Sequence, residues 1–194
     1  MTNYWYPVEE HEPRQYLTGE THTKGGFVDD EIYASALDHL VLACVDAVVL
    51  FEGRVLIGKR VVEPQPDWWI IGGRMRKGDL YQEAAVRNMK RELQVEFAPD
   101  RFNFLNAYNL LWDKRAQEPT THGCHMLSIT MYLQLTEEEH QQIRLNEEYG
   151  AHRWVEPNEL ISDPEKYHPC LVQMARDIQA VLLRQRVPSH ELSN

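Results

Sequence analysis

The spacing of apolar residues differs from one segment of the chain to the next, and these differences mark the predicted elements. Apolar runs at 40–51 and 54–59, joined by the turn dipeptide Glu52-Gly53, predict a β-hairpin. Further runs typical of strands are 67–71, 102–112, 125–135 and 151–155. Strands on both sides of a helical segment are typical of an α/β sandwich with a mixed sheet.

The segment 79–95 shows helical spacing most clearly. Its apolar residues fall on one face, at Ala85, Val86, Met89 and Leu93. Asp79 is the expected N-cap, because a carboxylate accepts hydrogen bonds from the free N–H groups of a first helical turn. Asn88 and Glu92 lie one turn apart, which places both at the edge of the buried face.

The remaining pattern indicates one domain with two flanking segments. Further helical segments are expected at 29–37, 136–139, 157–161 and 169–185. No repeat or linker divides residues 39–186, whereas 1–38 is expected to be an N-terminal arm and 187–194 a disordered tail. An arm of this length can reach across a dimer, so a homodimer is a hypothesis.

Composition narrows the class of protein. The chain has 194 residues, of which 43% are hydrophobic and 26% charged, as in an ordinary globular protein. A net charge of −10 argues against a general nucleic-acid binder. The longest apolar run contains Asp46 and is too short to span a bilayer. The polar N-terminus and the widely spaced Cys44, Cys124 and Cys170 lead us to expect a cytoplasmic protein.

Positive charge is concentrated around a glycine turn. Residues 54–91 hold nine Lys and Arg against four Asp and Glu, a local net charge of +5 that fits a small anionic ligand. Gly72-Gly73-Arg74 lies just before the helical segment that carries Glu92. Backbone carbonyls and carboxylates bind hard cations, and arginines bind phosphate oxygens bidentately. The pattern therefore predicts a diphosphate site with a metal ion.

The turn and helix resemble the Nudix signature, G-x5-E-x7-R-E-U-x-E-E-x-G-U, in which U is a bulky apolar residue. Counted from Gly73, Asp79 stands at the first Glu, Arg87 matches the Arg, and Glu92 matches the second Glu of the pair. The departures are Asn88 and Arg91, where the family has Glu, and Gln94, where it has Gly. The signature is thus kept in spacing but is degenerate in its acids.

Residues 40–155 resemble one branch of that family, the GDP-mannose mannosyl hydrolases, whose own box lacks the same two acids. The segments that carry this resemblance are 56–60, 69–74 and 83–93. It implies a Nudix-like α/β/α sandwich with a mixed sheet. It also implies a hydrolase that uses Mg²⁺, with Mn²⁺ as an alternative, and acts on a nucleotide-sugar. In this branch water attacks the anomeric carbon, and GDP departs.

The resemblance further implies residue roles on the substrate side. Arg60 and Arg74 would hold the diphosphate, and Arg87 would support the site by charge and hydrogen bonding, which makes Arg74 and Arg87 the catalytic candidates. Asp46 would face the sugar, although a buried hydrogen-bonded role fits a charge in an apolar strand equally well. Trp68 and Trp69 are expected in the core or at the rim, where one could stack on a nucleobase.

On the metal side, the Gly72 carbonyl and Glu92 would be ligands. Glu148 stands where the branch has a glutamine ligand, and Glu147 is a rival for that role. Tyr149 takes the place of the histidine that acts as general base, and a tyrosine with a pKa near 10 is a poor base at neutral pH. Candidate replacements for the base are His122, His125 and His152.

Three functions remain open. The leading one is hydrolysis of a nucleoside-diphosphate sugar at the glycosidic C–O bond. The second is a Nudix pyrophosphatase that attacks phosphorus, which the missing acids disfavour. The third is a catalytically silent module that binds a nucleotide-sugar, which the substituted base position favours.

Overall fold

The computed structural model of the chain describes residues 28–186. The predicted tail and residues 1–27 of the predicted arm lie outside the described residues. The helices are α1 (Asp30–His39), α2 (Tyr81–Leu93), α3 (Glu137–Gln142), α4 (Pro157–Ser162) and α5 (Pro169–Arg186). The strands are β1 (Val41–Phe51), β2 (Arg54–Arg60), β3 (Trp68–Trp69), β4 (Ile71–Arg74), β5 (Asn103–Trp112), β6 (Cys124–Gln134) and β7 (Tyr149–Val155).

The strands form one seven-stranded mixed sheet in the order β3-β2-β1-β6-β5, with β4 paired to β1 and β7 paired to β2. The long central strands β1 and β6 run parallel, and the other pairs are antiparallel. The predicted hairpin of β1 and β2 is present, with Phe51 opposite Arg54. The mixed sheet is therefore confirmed.

Helices cover both faces of this sheet because the side chains of β1 alternate between them. Val45, Ala47 and Val49 pack in one buried cluster with the apolar face of α2. Val48 and Leu50 pack in a second cluster with α5. The apolar residues of α2 that are fully buried are Ala84, Ala85, Met89 and Leu93. The predicted α/β/α sandwich is thus confirmed.

The predicted strand 67–71 is divided in two, and the glycines expected to follow it as a turn belong to β4. β3 pairs with β2, whereas β4 pairs with β1 and sets Gly72 opposite Asp46. An added Cβ at Gly72 would lie 2.1 Å from Asp46 Oδ1 and 2.5 Å from Asp46 Cα. Only glycine fits at this paired position of the sheet, because any side chain would collide with the neighbouring backbone.

The prediction that Asp79 caps α2 is wrong. The helix begins at Tyr81 after Leu80, and Glu83 Oε2 accepts the Leu80 N–H at 3.1 Å. The Asp79 carboxylate accepts instead from the Arg76 N–H, at 2.6 Å, and from the Arg87 guanidinium. Asp79 therefore closes the loop that joins β4 to α2, and its carboxylate is no longer available to cap the helix.

Within the described part of the chain, no helix is long and apolar enough to cross a membrane.

Candidate functional site

A cavity of about 360 Å³ opens beside β1, β2 and β4. We call it the arginine pocket, because the guanidinium-bearing residues Arg60, Arg74, Arg91 and Arg115 line it. Acidic and aromatic residues complete its wall; they are Asp46, Glu63, Glu148, Tyr33, Trp69, Trp112 and Tyr149. The volume is within the range of pockets that hold small organic ligands.

The two arginines predicted to bind phosphate come together in this pocket. Arg60 is the last residue of β2 and Arg74 the last residue of β4. Arg60 Nη2 lies 3.8 Å from Glu148 Oε2. The Arg74 guanidinium lies over the ring of Tyr33, with its Cζ 4.0 Å from the ring centre. This cation–π contact, together with a hydrogen bond between Arg74 and the Tyr33 side chain, orients Arg74 at the pocket.

Arg87, the other predicted catalytic residue, is not among the residues that line the pocket. Its Nη2 donates to the carbonyl of Arg74 at 2.9 Å, and its Nη1 donates to Asp79. Arg87 therefore holds the chain that carries Arg74, and its geometry is that of a positioning residue.

Asp46 lines the pocket and is 7% exposed. Its carboxylate accepts from Ser128 Oγ at 2.5 Å, and Ser128 Oγ lies 2.9 Å from Thr130 Oγ1. Burial raises the pKa of Asp46 to about 6, with a smaller contribution from Glu92, against the lowering effect of the Ser128 hydrogen bond. Asp46 is therefore a buried, hydrogen-bonded acid that lines the pocket, and its role toward a sugar stays a prediction.

Glu92 is completely buried, although its spacing places it only at the edge of the apolar helical face. Its Oε1 accepts from Arg91 Nη2. Its Oε2 accepts from the Tyr149 hydroxyl and, at 3.3 Å, from the Gly72 N–H. Burial is the largest influence on the Glu92 carboxyl and raises its pKa, although Tyr149 and Arg91 oppose this shift.

Asn88, one turn before Glu92, is also buried, at 1% exposed. Its amide Nδ2 donates to the Gly73 carbonyl at 2.9 Å and to the Val45 carbonyl at 3.2 Å. An ionised glutamate at this position could only accept hydrogen bonds, so it could not make these two contacts. Asn88 therefore joins α2 to β4 and β1, and one of its two hydrogen bonds engages the carbonyl of Gly73 in β4.

Comparison with known proteins identifies the family. The NUDIX domain model matches residues 42–178. The chain belongs to the Nudix family. This places a Nudix domain over β1 to α5 and agrees with the layered α/β architecture.

Solved structures share this fold at low sequence identity. The MutT protein from Methanosarcina mazei Go1 is 13% identical, with a TM-score of 0.57 over 73% of this chain and 95% of that one. The E. coli dihydroneopterin triphosphate pyrophosphohydrolase is 18% identical, with a TM-score of 0.56 over 73% and 95%. A C. elegans Ap4A hydrolase is 15% identical, with a TM-score of 0.53 over 74% and 99%. The chain spans only 43% of a longer MutT/nudix family protein from Enterococcus faecalis.

Nudix hydrolases generally use divalent metal ions such as Mg²⁺, but the predicted ligands of this Nudix protein do not fit one. Both oxygens of Glu92 already accept hydrogen bonds, and Glu148 faces Arg60. Glu147 is exposed and does not line the pocket. Among residues 28–186, no group of three or more His, Cys, Asp or Glu side chains is arranged to hold a metal ion.

None of the predicted bases lies in the arginine pocket with its proton-accepting group free. The Tyr149 hydroxyl donates to Glu92, and burial, followed by the charge of Glu92, raises the pKa of Tyr149. His122 lies 3.1 Å from Asp38, and both His122 and His125 line a separate cleft. His152 is an exposed residue of β7. Asp46 lines the pocket, and burial raises its pKa to about 6.

The structure adds pocket residues that the sequence pattern did not indicate. Tyr33 and Leu37 bring α1 to the pocket wall. Arg115 is 1% exposed; its Nη1 donates to Asp38 at 2.6 Å and its Nε donates to the Gln117 carbonyl at 3.0 Å. Arg115 thereby fastens the loop between β5 and β6 to α1. These contacts join distant segments, so local spacing gives no signal for them.

Proposed function

We propose that this Nudix protein hydrolyses a nucleoside-diphosphate sugar of the GDP-mannose type at its glycosidic C–O bond. One observation carries the proposal: Arg60, Arg74 and Arg91 surround the same cavity as the buried acid Asp46. A cluster of guanidinium groups is suited to bind a diphosphate. An acid beside the cluster is suited to contact the sugar from which the diphosphate departs.

The arginines fit the role of holding a leaving group. As the bond between the anomeric carbon and the phosphate oxygen breaks, its electron pair stays on the diphosphate, whose negative charge increases. Fixed cations stabilise this charge more strongly in the transition state than in the bound substrate, which accelerates the reaction. Attack at phosphorus is less well supported, because Asn88 and Arg91 stand at two of the acidic positions.

Asp46 fits the role of proton acceptor. Water adds to the anomeric carbon and must lose one proton as the C–O bond breaks. With a pKa of about 6, Asp46 is ionised at neutral pH and basic enough to accept that proton. Because the expected metal ligands do not form a site, the proposal uses no metal-bound step, and the arginines supply the neutralising charge.

The decisive experiment is a screen of nucleotide-sugars, with EDTA and with Mg²⁺ in parallel, followed by separation of the products. Release of a nucleoside diphosphate and a free sugar is expected. Release of a nucleoside monophosphate and a sugar phosphate would contradict C–O cleavage and favour the pyrophosphatase. Arg54→Ala is the matched control for the pocket arginines, since Arg54 lies on the same strand as Arg60 but is exposed.

The catalytically silent module remains the second candidate because of Tyr149. Its hydroxyl is committed to Glu92, and its pKa is raised, so it supplies no base where the related branch has histidine. Tight binding of a nucleotide-sugar without turnover would favour the module, and turnover that Asp46→Asn abolishes would reject it. The homodimer and the cytoplasmic location stay predictions.

A further inference from the structure

Arg91 lies at the junction between the arginine pocket and the buried glutamate. Its Nη2 donates to Glu92 Oε1 and would lie 2.8 Å from a Cβ added at Gly73, so the guanidinium packs against β4 at Gly73. Its side chain is 51% exposed, while that of Glu92 is fully buried. One cation thus contacts the buried carboxylate and the open cavity together.

We propose that the Arg91 guanidinium replaces a divalent metal ion in this site, so that the pocket binds a diphosphate without metal. The diphosphate part rests on the proposed function. The proposal also predicts that Mg²⁺ and Mn²⁺ do not bind at Glu92. This second part rests on the geometry alone.

The first argument is that the carboxylate is already satisfied. A buried charge requires a partner charge and hydrogen bonds to its remaining lone pairs. Glu92 has Arg91 as its partner charge, and the Tyr149 hydroxyl and the Gly72 N–H as further donors. A metal ion would have to displace these donors and then lie beside a guanidinium of the same sign.

The second argument is that the donors are held in place. An added Cβ at Gly58 would lie 2.3 Å from Cδ1 of the Tyr149 ring, so the ring packs directly on the backbone of β2. Tyr149 also begins β7, which pairs with β2. The packing of the Tyr149 ring on β2 therefore holds the hydroxyl against Glu92. A metal ion could reach the Glu92 carboxylate only if Tyr149 moved.

The third argument concerns the free edge of the guanidinium. An arginine has five N–H donors in a planar fork, and the contact with Glu92 engages one nitrogen. The remaining donors belong to a half-exposed side chain that lines the same cavity as Arg60 and Arg74. A phosphate in the cavity would thus meet a cation that is already held by a buried carboxylate.

The test measures metal binding and anion binding separately, without turnover. Mn²⁺ alone is titrated into the wild-type protein and into Arg91→Glu, which places a second carboxylate beside Glu92. We expect no wild-type site below about 1 mM and at least about tenfold tighter Mn²⁺ binding in Arg91→Glu. Lys90→Glu is the matched control, because Lys90 is the neighbouring exposed cation on α2 and pairs with Glu96.

Inorganic pyrophosphate is then titrated in EDTA. We expect the wild-type protein to bind it and Arg91→Gln to bind it about tenfold or more weakly. Wild-type binding of one Mn²⁺ that Glu92→Gln removes, or pyrophosphate binding only after Mg²⁺ is added, would overturn the inference. These wild-type titrations decide the matter even where Arg91→Glu does not fold. A protein that hydrolyses no nucleotide-sugar can still pass this test, so the two proposals fail separately.

Discussion

The two sides of the candidate site differ in whether their charges face the cavity. On the arginine side, Arg60 and Arg74 end adjacent segments of the sheet and line the pocket. On the glutamate side, Glu92 is buried and both of its carboxylate oxygens accept hydrogen bonds from the protein, through Arg91, Tyr149 and Gly72. The fold thus brings the arginine side and the glutamate side together around one site. Whether a charge on either side is available to a ligand depends on the side chains that contact it.

The substitutions on α2 explain this difference. Arg91 and Asn88 stand at positions where the family signature has acids, and both donate hydrogen bonds inward, to Glu92 and to the carbonyls of Val45 and Gly73. Asn88 thereby joins the helix to the sheet, and Arg91 supplies a partner charge to the buried Glu92. At both positions a donor side chain contacts the protein where the signature has an acid.

The largest expected effect comes from Gly72→Ala, which disturbs both sides together. The new Cβ would collide with Asp46 Oδ1 and Cα in the adjacent strand, so the backbone must move. We expect a loss of about 3 kcal/mol or more in the free energy of unfolding. Denaturant unfolding measures it. The control is Gly150→Ala, whose Cβ would meet only Val61 Cγ1 at 3.2 Å; an equal loss in both variants would contradict the prediction.

The next largest effect is expected from Glu92→Gln, which tests the glutamate side alone. In the variant an NH2 group replaces one acceptor oxygen and faces existing donors, either the Arg91 guanidinium or the Tyr149 hydroxyl and the Gly72 N–H. Burial raises the pKa of Glu92, so loss of the charge itself relieves a cost, but the unpaired donors outweigh this relief, and we expect a loss of about 1–3 kcal/mol in unfolding free energy in EDTA. Glu96→Gln is the control, since Glu96 pairs with Lys90 in an exposed position, where such pairs contribute little. A loss that is seen only when Mg²⁺ is present would instead indicate a metal ligand.

On the arginine side, Arg60→Ala and Arg74→Ala are each expected to weaken binding of a nucleotide-sugar by about 10- to 100-fold, because each removes a charged contact to phosphate. Unfolding free energies should change little. Calorimetric titration compares both variants with Arg54→Ala, which is expected to bind like the wild type. Equal weakening in all three variants would show that net charge, and not pocket geometry, governs binding.

Of the two buried carboxylates, Asp46 is expected to show the smaller effect on stability, a gain in the variant Asp46→Asn. The pKa of Asp46 is raised from 3.8 to about 6 in the folded state, so ionisation of the folded protein opposes folding as pH rises through that range. We expect Asp46→Asn to gain about 1–2 kcal/mol near pH 7.5, and the gain to shrink toward pH 4. Unfolding measured across this range checks it, and turnover should be lost. A variant that is less stable at neutral pH would contradict the raised pKa.

The elements that could be predicted from the sequence are those with local causes. The hairpin follows from two apolar runs around Glu52-Gly53, and α2 follows from its repeating apolar face. Arg60 and Arg74 could be proposed because segments 56–60 and 69–74 carry the family resemblance. Asp79 was misassigned because a cap and a loop closure use the same carboxylate, and only the position of Arg87 selects the second.

The parts that could not be predicted depend on contacts between distant segments. Burial of Glu92 requires Tyr149, which is 57 residues away along the chain. Tyr33 reaches the pocket only because α1 packs beside it. A signature read along one helix shows which positions changed, but it does not show that Arg91 turns toward Glu92.

The most direct test of the account is hydrolysis in water labelled with ¹⁸O, followed by mass spectrometry of both products. If arginines hold a departing diphosphate while water attacks carbon, the label enters the free sugar and the nucleoside diphosphate stays unlabelled. Label in a phosphate group would contradict the account, because it would show attack at phosphorus in a site that has lost two of the acids of the Nudix signature.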